Sequence, residues 1–397
     1  MPEWWQFSAL MVAVAVAIPV CVVSVQCLAA LLLARPAESE VELADRGAFC
    51  VLIPAHNEEV VLRQTLVAIV AQLSAQDRVL VVADNCSDQT VAIAKDVGVG
   101  VLERHHAEHR GKGYALDAGI RQLEKDGFAG SCVIIIDADC DVAADALHLL
   151  AAEVSRSGRS AQARYVMHMP VDPSPRDYVS ALALRVRNIA RARGMHNLRL
   201  PCQVTGSGIA IPWHAIRKLN LASGNIVEDM QIGLDLAQMR LAAVYVEAAH
   251  VTGRLASGNA AQAQRKRWEH GHLGTSFGVV PRLLCAGIAR GNLQQVALAV
   301  DLAILPLALL ASFVVAVVVA ACALGGLTGY WLALWVSAGS LVSLAVAFLV
   351  GWWVSSRGII PLRTLLGIPV YVFWKIPMWV MSVLSPQKEW VRSSRKQ

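Results

Sequence analysis

Three acids crowd the end of one apolar run: Val133-Ile134-Ile135-Ile136 is followed by Asp137, Asp139 and Asp141. Four β-branched residues bounded by turn formers read as a short strand buried on both faces. Asp137 and Asp139 stand one residue apart, so in extended chain they point to one side. Two carboxylates held together repel unless a cation joins them. A hard divalent ion shared with substrate phosphates is the natural joiner. The plainer account is that the acids merely end the strand and that Asp141 caps the next helix. The pair alone does not choose between the two.

Other residues with chemical potential stand at similar junctions. Val51-Leu52-Ile53-Pro54-Ala55-His56-Asn57-Glu58-Glu59 reads as a strand that stops at proline and enters a helix. Such a first crossover makes one wall of a nucleotide crevice, although Asn57 by itself is also a common helix cap. Asp84 ends a second apolar run and could hydrogen-bond a base or ribose; turn chemistry accounts for Asn85, Ser87 and Asp88. Arg110-Gly111-Lys112-Gly113 lets backbone N–H groups and an ammonium approach phosphate at a helix start, without being a Walker motif. Thr205-Gly206-Ser207-Gly208 is either a place of close backbone approach or a plain bulge. Glu228 and Asp229 follow Gly224 and open a helix, where acids are common. Gln264-Arg265-Lys266-Arg267-Trp268-Glu269-His270 combines cations, an amide and an indole; a basic patch beside a membrane would need only the cations.

These junctions need elements to hold them. Strand-like runs at 49–53, 79–83, 99–103 and 133–136 alternate with helical stretches near 57–75, 88–97, 113–126 and 143–156. That alternation predicts an α/β fold with a mainly parallel sheet covered by helices. Segments 161–166, 204–211 and 242–247 would extend it. A helical stripe of Val179, Leu182, Val186 and Ile189 runs through 178–196, with Arg185, Arg187, Arg191 and Arg193 elsewhere on the segment. It reads equally as a basic helix in a membrane interface and as a surface helix with a solvated face.

Composition points to a membrane. Of 397 residues 56% are apolar and only 16% charged, against about 25% in an average soluble domain. The apolar content is concentrated: 7–34 and 302–356 carry no charge, and a span needs about 20 such residues. The first run lacks a basic leader, so a retained helix is expected rather than a signal peptide. Arg35 and Arg46 follow it, which places the N-terminus outside and the next domain in the cytoplasm. The second run divides at Gly325-Gly326-Leu327-Thr328-Gly329 into two helices. The expected layout is a transmembrane helix over 1–35, a cytosolic domain over 48–270, an interfacial helix region over 271–295, two transmembrane helices over 297–356, an interfacial or re-entrant segment over 360–384 and a basic cytosolic tail over 385–397. Nine scattered cysteines without metal-type spacing read as reduced thiols. No nucleic-acid signature is present.

The order of these parts is itself a motif. Ile53-Pro54-Ala55-His56-Asn57-Glu58, Asp84, Gly111-Lys112-Gly113, Asp137-Ala138-Asp139, Glu228-Asp229 and Gln264-x-x-Arg267-Trp268 resemble the membrane-embedded, processive-type glycosyltransferases of family two, which include cellulose, hyaluronan and chitin synthases. The resemblance covers about 48–270 and implies a glycosyltransferase-A type, Rossmann-like cytosolic domain beside transmembrane helices. It implies a nucleotide-diphosphate sugar donor, UDP-sugar favoured, and Mg²⁺ or Mn²⁺ held by Asp139. Asp84 and Asp137 would contact the nucleoside, and Ala55, Glu58 and Lys112 would also line the donor site. Asp229 would be the general base beside Glu228. Gly206, Ser207 and Gly208 would meet the acceptor, and Gln264, Arg267 and Trp268 would close over donor and acceptor.

The chain is shorter than those synthases and has fewer spans, so a single transfer to a lipid-linked or saccharide acceptor is expected, in bacterial inner-membrane exopolysaccharide or glycolipid assembly. A processive synthase and an inactive membrane-anchored scaffold are the alternatives.

Overall fold

The structure is a computed structural model, and it describes residues 4–33, 46–222, 228–254, 271, 274–276, 278–372 and 374–375. Among these, the strands are β1 Phe49–Ala55, β2 Arg78–Asp84, β3 Gly100–Arg104, β4 Cys132–Ile135, β5 Asp141–Val142, β6 Ala161–Met167, β7 Ile209–Pro212 and β8 Val244–Gly253. The helices are α1 Trp4–Leu32, α2 Leu62–Val70, α3 Thr90–Val97, α4 Lys112–Lys125, α5 Ala146–Ser157, α6 Pro175–Arg185, α7 Ala192–Asn197, α8 Trp213–Ile216, α9 Glu228–Gln238, α10 Val280–Ala289, α11 Leu293–Leu302, α12 Leu307–Thr328 and α13 Leu332–Ser355.

The sheet runs β3-β2-β1-β4-β7-β6-β8-β5. Strands β1 to β4 pair in parallel, as connections through α2, α3 and α4 require. Side chains alternate between two apolar layers. Phe49, Val51 and Ile53 join Leu62, Leu66, Ile134 and Leu147 on one face, while Leu52 joins Val82, Leu116, Ile135 and Ile211 on the other. The parallel half matches the expectation; beyond it the sheet is mixed. β7 runs antiparallel to β4 with Ile209 opposite Ile135, and β6/β7 and β5/β8 are also antiparallel. This reversal matters for chemistry. β7 enters where β4 leaves, so the residues just before Ile209 arrive beside those just after Ile135.

Three local expectations change. The strand expected over 204–211 begins only at Ile209, because Gly206 (φ +28°) and Gly208 (φ +74°) leave the extended region. The helix expected from 57 begins at Leu62: Asn57 sits at φ +54°, and its Oδ1 accepts the Ser87 N–H at 2.7 Å, tying β1 to the turn after β2 instead of capping a helix. Asp141 is not a helix cap either, since it pairs with Thr252 as part of β5.

α1, α12 and α13, of 29, 22 and 24 residues, are long and apolar enough to cross a membrane. Residues 297–302 belong to the shorter α11, so the first helix of the C-terminal pair starts at Leu307, and α12 ends at Gly329 in the left-handed region (φ +76°) that glycine adopts without strain. The segment from α6 through a π-helical turn at Val186–Arg191 to α7 is wedged between this bundle and the sheet. Its stripe is buried: Leu182 and Val186 pack with Val20, Val23, Leu310 and Leu344. Its arginines find protein partners, Arg185 on the Ser355 carbonyl, Arg191 on Asp301 and Arg193 on Glu247. Neither a lipid-facing nor a solvated basic face therefore describes it.

Candidate active site

The C-terminal ends of parallel strands form the crevice edge in such sheets, and here they deliver Ala55, Asp84 and, just past β4, Asp137 and Asp139. Asp84 is buried and paired with Arg104 at the end of β3. The β2–β3 register places the two residues opposite one another. The Asp84 carboxylate also receives the Asn85 amide at 3.0 Å and the Gly111 N–H at 3.4 Å. The Arg104 guanidinium lies 5.7 Å from the Tyr114 ring centre, and Tyr114, His109 and His106 continue as a stack. Ala55 is buried at the tip of β1, and the Glu58 N–H donates to Thr90 Oγ1 at 2.8 Å.

Four separate chain segments meet at the 205–208 turn. Ser207 Oγ accepts the Asp137 N–H at 3.0 Å, and the Gly208 N–H donates to the Ile135 carbonyl at 3.0 Å. The Gly206 N–H donates to Asp229 Oδ2 at 2.9 Å, while Oδ1 of Asp229 takes the Met230 N–H at 2.8 Å. Lys112, the first residue of α4, places its Nζ 2.5 Å from Asp137 Oδ1 and also donates to the Gly206 carbonyl. Gly111 reaches this helix start at φ +120°, and Gly113 abuts the Leu221 carbonyl so closely that a Cβ would collide with it. The glycines on both sides of Lys112 thus have steric reasons to be glycine.

The charges respond to this crowding. Burial would lower the Lys112 pKa, but Asp137, with Glu228 and Asp229, outweighs it and holds the ammonium above the ordinary lysine range. Burial pushes the Glu228 carboxyl up to about 7, helped by Asp229 and opposed by Lys112. Among the described residues, Asp137, Asp139 and Cys140 form a group whose donor atoms lie within 4.8 Å of one another. Burial first, then the two acids, holds the Cys140 thiol well above its usual range. The group therefore offers two oxygen donors rather than a thiolate, which suits a hard divalent cation.

Against this geometry two family models match, "Glycosyl transferase family 2" over residues 50–211 and "Glycosyl transferase family group 2" over residues 132–354, more than half of the chain. The chain belongs to the family 2 group of glycosyltransferases. A curated relative, "Probable glycosyltransferase YdaM" of Bacillus subtilis, is 38% identical over 97 residues, a match spanning 22% of either protein. Among solved structures, the mannosyltransferase PcManGT of Pyrobaculum calidifontis, in complex with GDP-Man and Mn²⁺, aligns with TM-score 0.53 at 17% identity, covering 86% of this chain and 99% of that one. That likeness is one of fold, an α/β glycosyltransferase-A type sheet. Glucosyl-3-phosphoglycerate synthase of Mycobacterium tuberculosis aligns more loosely, with TM-score 0.38 at 17% identity over 60% of this chain and 85% of that one.

Of the residues singled out in the sequence, Lys112, Asp137, Gly206, Ser207, Gly208 and Asp229 are brought into mutual contact, with Glu228 beside them. Asp139 adjoins Asp137, and Asp84 stands along the same edge. Gln264, Arg267 and Trp268 lie outside the described residues. Three partners escaped the sequence reading. Arg104 becomes visible only once strand register puts it opposite Asp84. Gln162, buried on β6, accepts the Thr205 N–H at 2.9 Å and donates to the Ser207 carbonyl at 3.0 Å. Gln203 is the third. A lone glutamine carries no spacing signal that could have flagged either amide.

Proposed function

We propose that this glycosyltransferase inverts the anomeric centre as it moves one sugar from a nucleotide-diphosphate donor to a lipid-linked acceptor at the cytoplasmic face of a membrane. The observation that carries this reading is the 205–208 turn, which bonds at once to Asp229, Lys112 and Asp137. A base, a cation and a metal-capable acid are thereby held around one space. The acceptor oxygen forms a bond to the anomeric carbon, and the carbon–oxygen bond to the diphosphate breaks with its electron pair. The acceptor's proton passes to Asp229, a contribution of about 10²- to 10⁴-fold for a positioned base. Lys112 neutralises the leaving diphosphate, and Glu228 stands beside the base.

Asp137 and Asp139 fit Mg²⁺ or Mn²⁺, which would supply further neutralisation of the diphosphate; the solved relative with GDP-Man and Mn²⁺ is consistent with such a pairing. In this reading Ala55, Glu58 and Asp84 line the donor site, with a UDP-sugar favoured. Gly206, Ser207 and Gly208 border the acceptor, and Gln264, Arg267 and Trp268 close over it. Residues 48–270 are the cytosolic unit, and α1, α12 and α13 anchor it in a bacterial inner membrane, in exopolysaccharide or glycolipid synthesis.

The test is nucleoside-diphosphate release by purified protein from a panel of nucleotide-sugars, with Mn²⁺ or EDTA and a polyprenyl-phosphate-linked acceptor. One lipid-soluble product band is expected, and a ladder would instead make the enzyme a processive synthase of the cellulose or hyaluronan type. Asp229→Asn is expected to bind donor and release no nucleoside diphosphate; undiminished turnover in that variant would remove Asp229 from the base role.

A further inference from the structure

The 205–208 turn carries the contacts on which the site depends, yet between Cys202 and Ile209 the backbone belongs to no helix or strand. Side chains hold it. Gln162 supports it from the sheet, and Gln203 supports it from the other side. Gln203 Oε1 accepts from Arg187 Nη2 at 2.9 Å, and its Nε2 donates to Asp301 Oδ2 at 2.6 Å. Asp301, at the end of α11, accepts on Oδ1 from Gln26 Nε2 and Arg191 Nη2, each at 2.6 Å. Arg191 Nε closes the ring on Gln26 Oε1 at 2.7 Å. Gln26, Arg191 and Asp301 are all at most 5% exposed.

Gln26 sits inside α1, which carries no charged residue, and Asp301 is the last charge before the uncharged stretch 302–356. A buried ion pair of this kind is weak support for stability, since apolar residues of similar volume often serve as well or better. What it does supply is directional bonds at fixed angles, of the stronger, charge-assisted sort.

We propose that Gln203 and Asp301 are positioning residues, through which the seating of membrane helix α1 and of α11 sets the 205–208 turn and with it the placement of Asp229 against Lys112. The inference rests on the reading of Asp229 as base. It predicts that turnover depends on how the membrane helices dock, and more steeply than donor affinity does. Asp301→Asn turns an amide toward the Gln203 amide, donor against donor. Gln203→Glu sets two carboxylates face to face. Together the two changes exchange donor and acceptor. The amide introduced at position 301 donates to the carboxylate introduced at position 203, where Arg187 keeps its acceptor, and the oxygen remaining at position 301 still accepts from Arg191 and Gln26.

The experiment compares the three variants with wild type in detergent or nanodiscs, reading kcat, the Kd of the Mn²⁺ nucleoside diphosphate and hydrogen–deuterium exchange of a peptide spanning 203–208. Each single variant is expected to lose about ten- to hundredfold in kcat, the worth of one or two charge-assisted bonds. Donor Kd is expected to change by less than kcat, the 203–208 amides to exchange faster, and the double variant to recover both kcat and protection. Single variants with wild-type kcat and exchange would overturn the proposal, as would a double variant no better than the worse single one. Exchange that rises and recovers as described, in a protein whose wild type releases no nucleoside diphosphate from any donor, would uphold the tether and overturn the assignment of Asp229.

Discussion

Lys112→Met gives the sharpest test of the site's electrostatics. The lysine Nζ bonds Asp137 and the Gly206 carbonyl, with Glu228 and Asp229 close enough to raise its pKa. Its side chain and that of Asp137 retain 20% and 27% exposure, so the full cost of a dry ion pair does not apply. Hydrogen bonds to charged groups contribute about 1.5–3 kcal/mol each. If Lys112 makes one such bond to the donor diphosphate, as proposed, losing it should lower kcat/KM for the donor about 10- to 150-fold, at a factor of ten per 1.4 kcal/mol.

A second signature follows from the sign of the Glu228 shift. Lys112 is the group that restrains the rise of Glu228 to about 7, so without it Glu228 holds its proton to higher pH. Any acid limb of the activity profile due to Glu228 then moves up in pH. The assay is nucleoside-diphosphate release at saturating Mn²⁺ across pH 5.5–9, with Lys112→Arg as the charge-keeping control. A variant within twofold of wild type in kcat/KM, with an unmoved acid limb, would refute the argument.

Further outcomes are expected. Arg46 clamps Asp77 with two bonds of 2.9 and 2.7 Å, and the Asp77 side chain is fully covered; burial alone would raise its pKa, but Arg46 and Ser74 bring it down to about 2. A depressed folded pKa stabilises above the unfolded value and is lost as pH falls toward 2, so Asp77→Asn should cost about 2 kcal/mol at pH 7 and much less at pH 2.5, read from Tm in detergent. Gly194→Ala would drive a Cβ into the Gln26 carbonyl of α1; a loss of about 1–3 kcal/mol in Tm-derived stability, with turnover falling alongside it, is expected, and an unchanged Tm would contradict the packing. Gly113→Ala pushes the start of α4 away from the Leu221 carbonyl and should cut nucleoside-diphosphate release while leaving Tm within a few degrees. Asp139→Asn should weaken Mn²⁺ binding by calorimetry, and unaltered affinity would remove Asp139 from the proposed metal-holding role.

The sequence determined the local matters. Apolar runs of β-branched residues became β1, β2 and β4, and the acids at and just past the ends of β2 and β4 stand at the crevice edge because that edge is formed by the C-terminal ends of the parallel strands. Uncharged stretches became three membrane-length helices, since no charged group interrupts them. The stripe Val179, Leu182, Val186 and Ile189 told correctly that these four side chains are buried, though Arg185 and Arg191 beside them are buried too. It could not tell against what. The arginines beside it found Ser355, Asp301 and Glu247, partners on distant segments that only chain closure brings near. Periodicity records that a side chain is covered, whereas hydrogen-bond direction depends on which other segment covers it. The antiparallel entry of β7, the Asp84–Arg104 register and the hanging of the 205–208 turn from Gln162 and Gln203 were accordingly decided by the tertiary structure alone.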